Sequence, residues 1–226
     1  MTNNSKILKE GILYELYLKL LAGDTVTVRG EETVEVQNWT ETFDSDSGII
    51  DIDGIFKTSE TYIEHEMKWY LSQNPQNNYI KNFAQIWSTA SDDNGMTNSN
   101  YGFLMFSPQN GYQFNNVVKT LLEDPQSRRA VAYYTNPFMH YTGGNDHVCT
   151  IYAAYTVRND ELDVVVSMRS NDIRFGLIGA DLEWARYMLN RVAECIDVKP
   201  GKIHWHAASA HLYSRHFDKL KEIFNA

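Results

Sequence analysis

Apolar positions along the chain follow two periods. From Lys6 to Leu21 they fall at Ile7, Leu8, Leu13, Leu16, Tyr17, Leu20 and Leu21, the spacing of a helix buried on one side, and Gly23-Asp24 stops it. Thr58 to Leu71, Asn115 to Glu123, Asp181 to Val198 and Phe217 to Phe224 read the same way. The Asp181 helix carries the clearest stripe, Leu182, Ala185, Met188, Leu189, Val192, Ala193 and Ile196, and Pro200-Gly201 is its predicted stop. Strand patterns cover Thr25 to Val28 and Thr33 to Val36, a hairpin around Arg29-Gly30-Glu31-Glu32. They return at Ala130 to Tyr134, at Val148 to Tyr152, at Leu162 to Met168 after the turn Arg158-Asn159-Asp160, and at Ile203 to Ala207. Asn82 to Trp87 is a short apolar turn or helix. Asp44 to Gly48, Asn74 to Asn78, and Ser91 to Asn100 closed by Tyr101-Gly102 are polar loops. Strands and helices mix without regular alternation, which predicts an α+β fold, and no repeat or linker divides the chain.

Composition narrows the function. A chain of 226 residues with 13% aromatics can bury a core of its own. No apolar run approaches the roughly 20 residues of a membrane span, and the start, Met1 to Lys6, lacks the features of a signal peptide. Cys149 and Cys195 stand far apart, which points to a reducing cytoplasm rather than a disulfide framework. A formal charge of −9 opposes binding to a nucleic-acid polymer but not to a small anion gripped by a few arginines.

The densest chemistry lies between Val148 and Asp181: a thiol at Cys149, Arg169-Ser170-Asn171-Asp172, and a further acid at Asp181. Taken singly, each candidate has an ordinary reading. Arg29 is a solvated turn residue. Arg128 and Arg129 are surface charge where a strand opens, and the helical pattern puts Glu66 on the solvated side of its helix. His204, His206, His211 and His216 match no common zinc spacing, so no metal is expected. Cys149 follows His147 by two residues, but the signature of a cysteine protease is missing, as is a glycine-rich phosphate loop.

As a set, these pieces resemble the thymidylate synthase family and, within it, the deoxycytidylate hydroxymethylases of T-even-like phages. The resemblance rests on Tyr62 to Tyr70, Ile86-Trp87, Asn98 to Gly102, Pro125-Gln126-Ser127-Arg128-Arg129, Cys149-Thr150, Met168 to Asp172, Phe175-Gly176 and His211 to Phe217. They run in family order over nearly the whole chain, and the Arg-Ser-x-Asp and Ser-Arg-Arg pieces are the most specific. The resemblance implies one catalytic domain over residues 1–226, with a large twisted sheet and a homodimer packed sheet against sheet. It implies a phage-encoded enzyme acting in the host cytoplasm on dCMP, with 5,10-methylenetetrahydrofolate as one-carbon donor.

Residue roles follow from the same resemblance. Arg29, Arg169 and Ser170 would bind the nucleotide phosphate from one subunit, Arg128 and Arg129 from the other, with Asn171 also on the substrate side. His211 and Tyr213 match the residues that bond the deoxyribose 3′-hydroxyl. Trp87, Tyr101 and Asp172 fall on the folate side. Cys149 matches the nucleophile, and nearby arginines should lower its pKa. Glu66 matches the glutamate that organises water and moves protons at the base.

Asparagine reads uracil in thymidylate synthases, whereas a carboxyl group suits the N4 amino group and N3 of cytosine. Counting back from His211, that position is Asp181 if one residue is inserted after Gly176, and Ala180 otherwise. Asp181 is adopted, hence cytosine. Water at the last step gives a hydroxymethyl group; hydride would give methyl. The same residues would also suit a dUMP-directed enzyme or a nucleotide-binding protein without catalysis. Two departures stand out. The chain stops at Ala226, soon after the His211 motif, where family members usually continue into a segment that closes over folate. The approach to Cys149, Thr142-Gly143-Gly144-Asn145-Asp146, lacks the proline of thymidylate synthases, which is expected to change how water reaches the intermediate.

Overall fold

The structure, a computed structural model, describes residues 1–136, 138 and 146–225. A mixed seven-stranded sheet organises it, in the order β1 (Val26–Val28), β2 (Glu31–Asp44), β9 (Lys199–Tyr213), β7 (Glu161–Met168), β6 (Thr150–Arg158) and β5 (Val131–Tyr133), with β8 (Asn171–Asp172) pairing β9 off that path. β7 and β8 run parallel to β9; the other pairs are antiparallel. A small hairpin, β3 (Asp51–Ile52) with β4 (Phe56–Lys57), stands apart. The α+β reading therefore holds.

The turns follow their residues. Arg29 and Gly30 both take positive φ (51° and 84°), as do Asn159 and Asp160 (52° and 62°), which is the mirror-image turn geometry that joins tightly paired strands. One face of the sheet is apolar and buried: Phe43 from β2, Val164 and Val166 from β7, Ala153 and Tyr155 from β6, Ile203 and Trp205 from β9. Helix α7 (Leu182–Ile196) packs there through Leu182, Ala185, Met188, Leu189 and Val192, as its stripe requires. The opposite face carries Thr40, Thr42, Val165, His204 and His206 along an open groove.

The pattern reading needs four corrections. The last strand is 15 residues long and holds Pro200, Gly201, His211 and Tyr213. What stops α7 is Asp197, in the left-handed conformation at φ 57°, not Pro200-Gly201. The first helix is not continuous: α1 (Asn3–Leu8) and α2 (Tyr14–Leu21) meet across a wide turn with a kink at Gly11. Tyr101-Gly102 does not close a loop but opens α5 (Tyr101–Phe106), capped by the Asn100 side chain accepting from Phe103 N at 2.8 Å. That short helix is apolar nearly all round, so it shows no amphipathic period.

Gly102 has a packing reason. A Cβ built there would lie 1.7 Å from the carbonyl oxygen of Tyr70, in α3 (Glu60–Leu71). The two helices touch backbone to backbone, which sets Tyr101 against Tyr70 with ring centroids 5.0 Å apart. Gly102→Ala is expected to lower unfolding free energy by about 3 kcal/mol, the upper range for overpacking a close contact. Urea denaturation measures it; a loss below about 0.5 kcal/mol, the scale of an ordinary surface substitution, would show that the helices separate freely.

Candidate active site

The C-terminal ends of β7 and β9 and the start of β6 meet at one end of the sheet. Thr150 pairs with Met168, so Cys149 and Arg169 emerge side by side. Arg169 N donates to the carbonyl of Cys149 at 2.9 Å. Its guanidinium donates through Nε to the Val148 carbonyl at 3.0 Å and through Nη2 to the His147 carbonyl, and Nη2 lies 3.7 Å from Cys149 Sγ. Arg169 thus splints the approach to the thiol as well as facing it. Before the thiol, Asp146 grips the Asn98-Ser99 corner, accepting from Ser99 N at 2.7 Å and Ser99 Oγ at 2.6 Å. The expected polar approach over 142–145 lies outside the described residues.

Cys149 does not carry the lowered pKa expected of it. Burial pushes the thiol up to about 11; Arg169 pulls down without winning, and Asp181 and Asp146 add to the rise.

Two carboxyl groups stand behind the thiol. Glu66 is buried, 5% exposed, against the solvated placement read from its helix. Tyr62, Glu66 and Tyr70 follow one another at four-residue steps, one face of α3. Tyr70 donates to Glu66 at 2.6 Å, and Trp87 Nε1 donates to the Tyr62 hydroxyl at 2.9 Å. Burial lifts Glu66 to about 7, while hydrogen bonds from Tyr70 and Tyr62 hold it from rising further. Asp181 ends the segment Ile173–Asp181, two helical stretches that meet across a kink at Gly179. Asp181 lies 3.5 Å from the Tyr101 hydroxyl and 3.2 Å from Asn171 Nδ2, while Ala180 is buried. Burial raises Asp181 to about 7, and the charges of Glu66 and Asp172 add to it. Both acids are therefore poised to hold or release a proton near neutral pH.

Other expected residues divide into those the structure gathers and those it does not. His211 and Tyr213 share the end of β9, rings edge-on with centroids 5.1 Å apart, and burial lowers the pKa of His211, so it is neutral at pH 7. Arg29 sits on the β1–β2 turn beside Tyr213, close enough for its charge to act on both Tyr213 and Cys149. Ser170 follows Arg169 at the same sheet end and is half-buried. Asp172 caps the next segment, one oxygen accepting from Arg174 N and Phe175 N at 2.8 and 3.0 Å. Trp87 is half-buried beside Tyr62, with Ile86 and Phe83, the latter stacked on His65, exposed nearby.

Arg128 and Arg129 are not brought to this site. They precede β5, at the sheet edge opposite Arg29, and the register Val131↔Ala154 puts Arg129 six residues along β6 from Thr150. At about 3.4 Å per residue that is roughly 20 Å away. Tyr101 is 4% exposed, its hydroxyl accepting from Thr150 at 3.0 Å, so it backs Asp181 rather than facing a cofactor. Asn171 is likewise buried, bonded to Asp181 and Trp205, and does not reach an open substrate surface. Sequence reasoning passed over Tyr62 and Tyr70; their four-residue spacing around Glu66 was the available signal.

Comparison with known proteins agrees with this arrangement. The family model described as thymidylate synthase matches residues 16–225. Deoxycytidylate 5-hydroxymethyltransferases of Enterobacteria phages T4 and T2 are each 33% identical over 174 residues, covering 70% of this chain and 69% of theirs. The deoxyuridylate hydroxymethyltransferase of Bacillus phage SP01 is 28% identical over 160 residues, covering 66% of this chain and 42% of that protein.

The raised carboxyl of Glu66 has a cost with a definite sign. Its folded pKa lies above the unfolded value, so its stabilising contribution is complete at acid pH, below about 4.5, and is lost as pH rises through about 7. Glu66→Gln should therefore stabilise the fold more at pH 8 than at pH 5, by on the order of 2 kcal/mol. Urea titrations at the two pH values check this, and an equal effect at both rules the assignment out.

Proposed function

The chain belongs to the thymidylate synthase family and is a one-carbon transferase, and on that premise we propose that it converts dCMP to 5-hydroxymethyl-dCMP. The observation that carries the choice of dCMP is Asp181, a largely buried carboxyl with its pKa at about 7 beside Cys149. In its neutral form it donates to N3 of cytosine and accepts from the N4 amino group. Uracil offers the reverse pattern, an N3–H and an O4 acceptor, which leaves buried groups unpaired. The activities for which the phage relatives are named favour water at the last step.

Methylenetetrahydrofolate, a co-substrate here, supplies the one-carbon unit as an electrophilic methylene. The indole of Trp87 and the Asp172 carboxylate, whose Oδ2 also faces Arg215 at 3.9 Å, would meet a flat pterin with N–H donors. Every other step belongs to this chain's residues. Arg169 stabilises the Cys149 thiolate, which adds to C6 of the base. The electron pair displaced from the C5–C6 bond makes C5 nucleophilic, and Asp181 gives N3 the proton that keeps the ring neutral. C5 bonds to the methylene carbon of the co-substrate. Glu66, with its pKa at about 7, takes the C5 proton as tetrahydrofolate departs with the electron pair of its nitrogen, and then directs water to the exocyclic methylene that remains. Expulsion of the Cys149 sulfur, with return of the N3 proton to Asp181, restores the ring.

Arg29, Arg169, Ser170, His211 and Tyr213 form the phosphate and sugar end of the cleft. Arg128 and Arg129 join it from a second copy, packed through the open sheet face that carries Thr40, Thr42, Val165, His204 and His206. Two arginines left far from the site in their own chain support that reading, as does a thiol at about 11 that wants more positive charge.

Incubation with dCMP and methylenetetrahydrofolate should release tritium from C5 and yield a product with the mass of hydroxymethyl-dCMP; a methyl product would replace water by hydride. Asp181→Asn should move the kcat/KM ratio of dCMP to dUMP towards dUMP by about 100-fold or more. A ratio that stays put removes Asp181 as the base reader.

A further inference from the structure

The Asp181 carboxyl is seated by residues that the reaction does not touch. Trp205 is buried, and its indole N–H, which can only donate, meets Asn171 Oδ1 at 3.2 Å. That contact fixes the amide: the carbonyl points at Trp205, so the NH2 group points at Asp181 and donates to Oδ2 at 3.2 Å. Asn171 is 1% exposed and locked in β8 by its pairing with Ala210. Gly176 closes the other side. A Cβ there would lie 2.5 Å from Asp181 Oδ2 and 3.0 Å from Asn171 Nδ2, so the carboxyl and amide occupy the space a side chain would need.

The fixed amide has a chemical consequence. A neutral carboxyl carries one proton. Oδ2 accepts the Asn171 N–H at 3.2 Å, whereas Oδ1 meets the Tyr101 hydroxyl only at 3.5 Å. The more tightly bonded oxygen keeps its lone pairs, so the proton resides on Oδ1 and Oδ2 remains an acceptor with a second lone pair. Building on the reading of Asp181 as the base-recognising acid, we propose that Asn171 is a specificity-positioning residue. It polarises the Asp181 carboxyl into one donor edge and one acceptor edge, the pair that N3 and N4 of cytosine require. Trp205 and Gly176 hold Asn171 and Asp181 in register for it. Without this N–H only the long Tyr101 contact distinguishes the two oxygens, and the carboxyl turns to suit either pyrimidine.

The test uses the full chain with dCMP, dUMP and methylenetetrahydrofolate, reading kcat and KM for each nucleotide between pH 5.5 and 9. Asn171→Asp keeps the shape and an acceptor for Trp205 but removes the donor; Asn171→Leu removes both; Gly176→Ala pushes on the same contact from the other side. Each should reduce the preference for dCMP over dUMP by about 30-fold, mainly through KM for dCMP. In Asn171→Leu the alkaline fall of dCMP kcat/KM should also move to higher pH, because an N–H that stabilises the charged carboxyl is gone. An equal loss on both nucleotides with an unmoved pH midpoint means that Asn171 is only structural and overturns the proposal. If Asn171→Leu does not fold, the near-isosteric Asn171→Asp decides by the nucleotide ratio alone. A wild-type chain that does not prefer dCMP refutes the reading of Asp181 itself; a wild-type preference that survives in the variants refutes Asn171 alone.

Discussion

Keeping two carboxyl groups out of water in one cleft is the constraint on which this architecture depends. A buried charge without partners costs several kcal/mol, and here the charge of Glu66 adds to the raised proton affinity of Asp181. The chain meets this with hydroxyl and amide donors on rigid elements: Tyr62 and Tyr70 on one face of α3, Tyr101 at the start of α5, Asn171 in β8. The close helix contact at Gly102 and the tight seat at Gly176 are the backbone side of the same solution. Neither glycine sits at a positive φ; both are there because something else occupies the place of a Cβ.

The thiol shows the other side of that constraint. Withdrawing Cys149 from water raises it further than one arginine lowers it. A thiol held mostly protonated is protected from stray oxidation, and added positive charge beside it would raise its reactivity. The sheet order places the remaining arginine pair at the edge far from Arg29.

Much of the fold was legible, and the reasons differ by element. The long amphipathic helix and the hairpin at Arg29-Gly30 carry their own periods and turn residues. Helix α5 was not legible because it is apolar on nearly every side, and the extent of β9 was hidden because Pro200 and Gly201 look like a stop. Pattern placed Glu66 in solvent because a helical period cannot tell a solvated face from a polar pocket lined by tyrosines. The motif set pointed to the acids, the thiol and the basic residues, and it put Tyr101 and Asn171 among the ligand-facing residues, whereas the structure buries both. A motif records which residues travel together, not which of them are in front.

The kinked segment from Ile173 to Asp181 carries a consequence for how such enzymes diverge. Each residue advances a regular helix by about 100°, so gaining or losing one position upstream of an acid rotates a different side chain towards the ligand. The kink at Gly179 interrupts that rotation just ahead of α7. On the reading of Asp181 proposed above, a single-codon insertion or deletion here would change the side chain offered to the base, as replacement of the residue itself would. Alignments that treat gaps as noise will overlook that route.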